Sequence, residues 1–157
     1  MTFDLRAALP ELMPRAVAWA ERQATLILSN GVTLESRGIE IAREAGVADA
    51  SAVRVLIVPE IPGPDDPVLS EANKQVQLVG PHLAGLTFAH GIFIRSDHQG
   101  SAKTLAHELR HVHQYERLGS IAGFLAVYLP QIVEYGYGDA PLEVEAQQET
   151  ERLFPIG

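Results

Sequence analysis

The chain has no cysteine. Disulfides, iron–sulfur clusters, thiolate zinc sites and a cysteine nucleophile are therefore excluded, and any bound metal must be held by His and carboxylate. Positive charge is scarce: 12 Lys and Arg stand against 20 Asp and Glu, a formal net charge of −8. Nucleic acid and anionic membranes select clustered positive charge, so neither is expected as the main partner. Long apolar runs are missing as well. The longest stretch without a charged residue, Leu118 to Val133, has 16 residues and contains Pro130 and Gln131. A membrane-spanning helix needs ~20 apolar residues, so this stretch reads as a buried helix. Met1-Thr-Phe-Asp-Leu-Arg6 has no basic start leading into an apolar run. No secretory signal is read there, and a cytoplasmic protein is expected. Internal repeats, low-complexity tracts and linkers are absent from the sequence.

What is present is ordinary globular material. The 157 residues are 46% hydrophobic and 20% charged, which suits one soluble domain spanning residues 1–157. Pro10 to Ser29 is amphipathic at helical spacing and stops at Asn30-Gly31. A short helix is predicted over Ser36 to Ala45, then a buried strand over Val53 to Val58. Pro59 to Pro67 holds four prolines and two aspartates and reads as an irregular loop. Leu69 to Val79 is ambiguous. Gly85 to Ala89 and Gly91 to Arg95 read as two short strands around a turn, or as one bent strand with a bulge near Gly91. Ser101 is an N-cap for a helix over Lys103 to Leu118, which Gly119 stops. A second apolar helix follows over Ser120 to Tyr135, with a kink expected at Pro130. Asp139 is placed to cap a last helix with Pro141 in its first turn, running to about Leu153. Helices, a few strands and more helices make an α+β chain that is mainly helical, with a small sheet preceding the motif helix.

The motif is His107-Glu108-Leu109-Arg110-His111. On a helix, residues i and i+4 share a face, so two imidazoles there can converge on one Zn²⁺ at roughly 2.0–2.1 Å each. Glu108 then flanks the metal without having to bind it, where a general base for a metal-bound water belongs. With 6 His and 14 Glu in the chain, the pattern is expected by chance only about 0.02 times. A third ligand is needed. Glu143-Val-Glu145-Ala146 lies 32 residues past His111, beyond one intervening helix. Glu143 and Glu145 are two positions apart and cannot face the same way on a helix, so one is the candidate ligand and the other points elsewhere. His113 faces away from the metal. His82, His90 and His98 show no ligand spacing. Of the tyrosines, Tyr115 reads as packed, and Tyr135 and Tyr137 lie on a turn that can approach the site.

These residues resemble the zincin metallopeptidases of the gluzincin type, in which an HExxH helix is joined to a Glu on a later helix. The run from His107 to Gly119 together with Ala140-Pro-Leu-Glu143 is similar to small bacterial zincin-like domains. The resemblance covers roughly Gly85 to Gln147 and leaves out the first 50 residues. It implies a zincin-like fold, Zn²⁺ as cofactor, Glu143 as third ligand, Glu108 as catalytic base and a peptide or protein as substrate. It also implies that Gly91 to Arg95 is the cleft-edge strand that pairs with substrate. Two positions depart from the pattern. Gln147 stands where many such peptidases keep an Asp that orients a ligand histidine, and Arg110 brings charge inside the motif. The expected function is peptide-bond hydrolysis by a metal-activated water. The alternative is a non-catalytic zinc-binding module acting through protein–protein contact, and a helical scaffold with a chance motif would bind no metal.

Overall fold

The computed structural model describes residues 4–155; residues 1–3, on which the N-terminal reading partly rests, and 156–157 lie outside them. Among the described residues the architecture is α+β, with six α-helices and a four-stranded mixed sheet whose strands all precede the motif helix.

The Asp4 side chain accepts a hydrogen bond from the Ala7 N–H and starts α1 (Leu5–Asn30). The sequence placed this start at Pro10, where the amphipathic helical spacing begins. Instead α1 runs through both Pro10 and Pro14. Leu12, Trp19, Ala20, Ala24 and Ile27 are buried along it, and that burial outweighs the ~3 kcal/mol each interior proline costs.

The sheet comprises β1 (Val32–Thr33), β2 (Arg54–Val58), β3 (Gly85–Phe88) and β4 (Gly91–Arg95), in the order β1-β2-β4-β3. β2 and β4 are parallel from Arg54↔Gly91 to Val58↔Arg95. β3 and β4 form an antiparallel hairpin from Gly85↔Ile94 to Phe88↔Gly91, turning over Ala89 at φ 57°. Two strands around a turn is therefore the correct reading, and the single bulged strand is not. β4 alternates with period two: Ile92 and Ile94 enter one core, Phe93 the other. Gly91 lets α1 cross close to the sheet, since a Cβ there would meet Ile27 at 3.0 Å. One expectation is overturned here. β4 is flanked by β2 and β3, so its backbone has no free edge to pair with an extended peptide; the edge strands are β1 and β3.

α2 (Ser36–Glu44) lies against the motif helix. The proline-rich loop ends one residue early: Pro67 is the first residue of α3 (Pro67–Val76), and Asp66 caps it by accepting from the Val68 and Leu69 N–H groups. The ambiguous segment is thus helical to Val76. α4 (Ala102–Leu118) carries the motif, and α5 (Ile121–Tyr135) leaves it at 113°. Pro130 lies inside α5, which continues to Tyr135. α6 (Pro141–Leu153) returns along α4. Among the described residues no single helix is long and apolar enough to cross a membrane.

Candidate metal centre

α4 is fixed before its chemistry matters. Ser101 accepts from the Thr104 N–H at 3.2 Å, and Gly119 ends the helix in the left-handed region at φ 89°. Ala106, Leu109 and Val112 are at most 1% exposed, and they seat one face of α4 against α2 and the sheet. The opposite face presents His107 and His111, whose Nε2 atoms lie 3.2 Å apart.

α6 brings the third donor. Glu143 stands in its first turn, where the helix dipole favours a carboxylate. The capping expected of Asp139 does not occur. The N-cap is Ala140, which offers no side-chain acceptor. The orphan N–H of Leu142 is satisfied across the interface, by Gln131 Oε1 of α5 at 2.9 Å. Gln114 Nε2 of α4 donates to Leu142 O at 2.9 Å and to Glu145 Oε1 at 3.0 Å. Arg110 Nε donates to both oxygens of Glu145 at 2.9 Å, and its guanidinium also reaches Ala45 O at 2.7 Å. These contacts set the rotation of α6. Glu145 is turned onto Arg110 and Glu143 onto the histidines.

Glu143 Oε1 lies 3.1 Å from His107 Nε2, and Oε2 lies 3.0 Å from His111 Nε2. A tetrahedral zinc with bonds of about 2.0–2.1 Å holds its ligand atoms about 3.3 Å apart. The two imidazole nitrogens are near that spacing at 3.2 Å, and each carboxylate oxygen sits 3.0–3.1 Å from a different imidazole. One ligand atom of each residue lies within 4.8 Å of the others, so the group could hold one small cation. The tautomer fits as well. His111 Nδ1–H donates to Gln114 Oε1 at 2.8 Å, which leaves the Nε2 lone pair for a metal. Tyr128 donates its hydroxyl to Glu143 Oε2 at 2.7 Å.

The charges point the same way. Burial opposes a proton on His111, but the Glu143 carboxylate, with Glu108 and Gln114 adding to it, reverses this and raises its pKa to about 9. Burial likewise opposes charge on Glu143, yet His111 and His107 hold it well below the carboxylate range. A buried anion is thus matched to positive charge at the imidazoles, where a proton and a divalent cation compete.

Glu108 lies beside this group and outside it. It is 6% exposed, and its Oε1 accepts from Thr87 Oγ1 of β3 at 2.8 Å. Gly85 of the same edge strand makes room for it, since a Cβ there would come within 2.8 Å of Glu108 Cγ. Tyr137 borders both carboxylates: burial, then the charges of Glu143 and Glu108, push its phenol upward.

Comparison with protein-family models, curated proteins and solved structures finds no match. The site therefore stands on its own geometry.

His107, His111 and Glu143 are brought together, with Glu108 adjacent. Gln147 does not reach the ligands; it is exposed and bonded to Glu151, and Gln114 does the orienting instead. Arg110 serves the α4–α6 contact rather than the metal. His113 faces away and donates to Gly46 O at 2.8 Å. His82, His90 and His98 are engaged locally, by Gln77, Glu116 and Thr104. Tyr115 is packed, stacking on Phe124 with centroids 3.8 Å apart. Sequence reasoning missed Thr87 and Gln114. The one available signal was that Gln114 follows His111 by three residues and so lies on its face.

Proposed function

We propose that this chain is a zinc-dependent hydrolase of peptide bonds with a zincin-like site of the HExxH…E type. His107, His111 and Glu143 hold Zn²⁺, and Glu108 is the general base. The observation that carries the reading is the convergence of His107, His111 and Glu143, one ligand atom of each within 4.8 Å of the others, with a second acidic side chain, Glu108, held beside them. Zinc, when bound there, supplies a Lewis acid for the carbonyl and lowers the pKa of its water to ~7. The protein's own part is proton handling and positioning. Thr87 fixes one oxygen of Glu108, which orients the carboxylate to take a proton from the attacking water and pass it to the leaving amine. Gln114 and Tyr128 keep His111 and Glu143 aligned.

A non-catalytic zincin-like zinc-binding module acting through protein–protein contact is the second reading. It is favoured by the low exposure of the group, 6% for each of Glu108, His111 and Glu143. One variant separates the two. In Glu108→Gln, hydrolysis of a mixed peptide library is expected to fall by roughly 10²–10⁴-fold with zinc content unchanged. Zinc-loaded wild type that cleaves nothing, or a variant that cleaves equally well, would contradict the hydrolase reading.

A further inference from the structure

The partner of His111 is a buried amide, and an amide has a direction that its surroundings must set. Gln114 offers one acceptor oxygen and one NH2 group with two donors. Its Nε2 meets two oxygens of α6, Leu142 O at 2.9 Å and Glu145 Oε1 at 3.0 Å. Neither can donate, because one is a carbonyl and the other belongs to a carboxylate paired with Arg110. Turned the other way, the Gln114 oxygen would face both of these oxygens, and its NH2 would face His111. The observed direction leaves Oε1 to accept from His111 Nδ1–H at 2.8 Å, which keeps His111 Nε2 for a metal. Glu145 is itself held in place. Arg110 Nε donates to both of its oxygens at 2.9 Å, and the guanidinium is anchored on Ala45 O at 2.7 Å. A charged acceptor behind an amide also polarises the hydrogen bond in front of it. Four side chains thus form one chain of contacts, from Arg110 through Glu145 and Gln114 to the imidazole.

We propose that Glu145, held by Arg110, is a positioning residue for the metal centre and acts on His111 through the Gln114 amide. The charge inside the motif then has a use, since Arg110 fixes the carboxylate that directs the amide. The proposal rests on the metal centre and not on peptide hydrolysis, so its test is zinc affinity, measured on the full chain by competition with a chromogenic chelator. Glu145→Gln keeps the shape and removes the charge. Affinity is expected to fall about tenfold, the lower end of the range for outer partners of a metal ligand. In a Gln114→Glu background the sign is expected to reverse. There a carboxylate meets His111 directly and Glu145 repels it, so adding Glu145→Gln removes the repulsion, supplies an amide donor and raises affinity. A residue that only packs α6 on α4 would lower affinity, or leave it unchanged, in both backgrounds, and either result would overturn the proposal. A second measurement needs no variant. In zinc-loaded wild type the His111 Hδ1 proton is expected as a downfield, slowly exchanging NMR signal, and its absence would overturn the proposal. Wild type that binds no zinc would overturn it together with the metal centre. Zinc binding without peptide cleavage would end the hydrolase reading alone.

Discussion

Two cores flank α4, and they differ in material. On the α2 side, Ile41, Ala42, Val53, Ile92, Ile94, Ala106, Leu109 and Val112 form an aliphatic cluster without a buried aromatic ring. On the α1 side, Trp19, Phe88, Phe93, Tyr115, Phe124 and Tyr128 are buried together, with edge-to-face contacts such as Trp19–Phe88 at 5.4 Å. The aliphatic core is a foundation. Its residues recur at three-residue spacing on one face of α4, and close packing there fixes the helix so that its other face can hold two imidazoles in register. The aromatic core borders chemistry. The His111 ring meets Phe124 and Tyr128 edge-on at 6.3 and 6.5 Å, and a largely apolar cavity of about 140 Å³ opens from the same side. Precision is built on one side of the helix, and room for a ligand on the other.

Substitutions can separate these roles. The largest stability effect is expected from Leu109→Ala, which empties a fully buried position of the foundation. A loss of about 3 kcal/mol is expected in urea unfolding, within the 2–5 kcal/mol usual for such truncations. A loss below about 1 kcal/mol would mean that the aliphatic side does not anchor α4. Gln114→Met keeps volume and removes the acceptor for His111 Nδ1–H, and zinc affinity should fall about 10–100-fold in competition with a chromogenic chelator. An unchanged affinity would remove Gln114 from the account. Thr87→Val removes the donor to Glu108 while preserving shape. Turnover is expected to drop about tenfold with zinc content intact, as loss of one hydrogen bond to a charged group implies.

The smallest effect belongs to a part of α4 away from both roles. Glu116 accepts from the Ala48 and Asp49 N–H groups and pairs with His90 at 3.0 Å. Burial works against its charge, but these partners prevail and hold its pKa below the ordinary 4.5. A depressed carboxylate contributes stability that is present above the ordinary value and is lost as pH falls through the folded one. Thermal melts from pH 6 to pH 3 should therefore steepen in wild type relative to Glu116→Gln. Parallel curves would show that the contact contributes no acid-sensitive stability.

Much of this was legible in the sequence, because it is local. The caps at Ser101 and Gly119, the strand at β2 and the one-face placement of His107 and His111 follow from spacing and backbone chemistry within a few residues. What was hidden depends on distant elements. Glu143 and Glu145 are equivalent by periodicity alone; Gln131, Gln114 and Arg110 on two other helices decide which one faces the histidines. The resemblance made β4 a cleft edge, and its pairing with β2, which brings Arg54 to Gly91, is not readable from local sequence. Asp139 looked like a cap because the acceptor that satisfies Leu142 comes from α5. The cavity beside His111 takes its wall from five helices and β3, and no single stretch of sequence announces it.

Elemental analysis of untagged, metal-replete protein tests the central claim most directly, run beside the His107→Ala, His111→Ala double variant. The account predicts about one zinc per wild-type chain and none in the variant, with both proteins folded by circular dichroism. A folded wild type that takes up no zinc would contradict it.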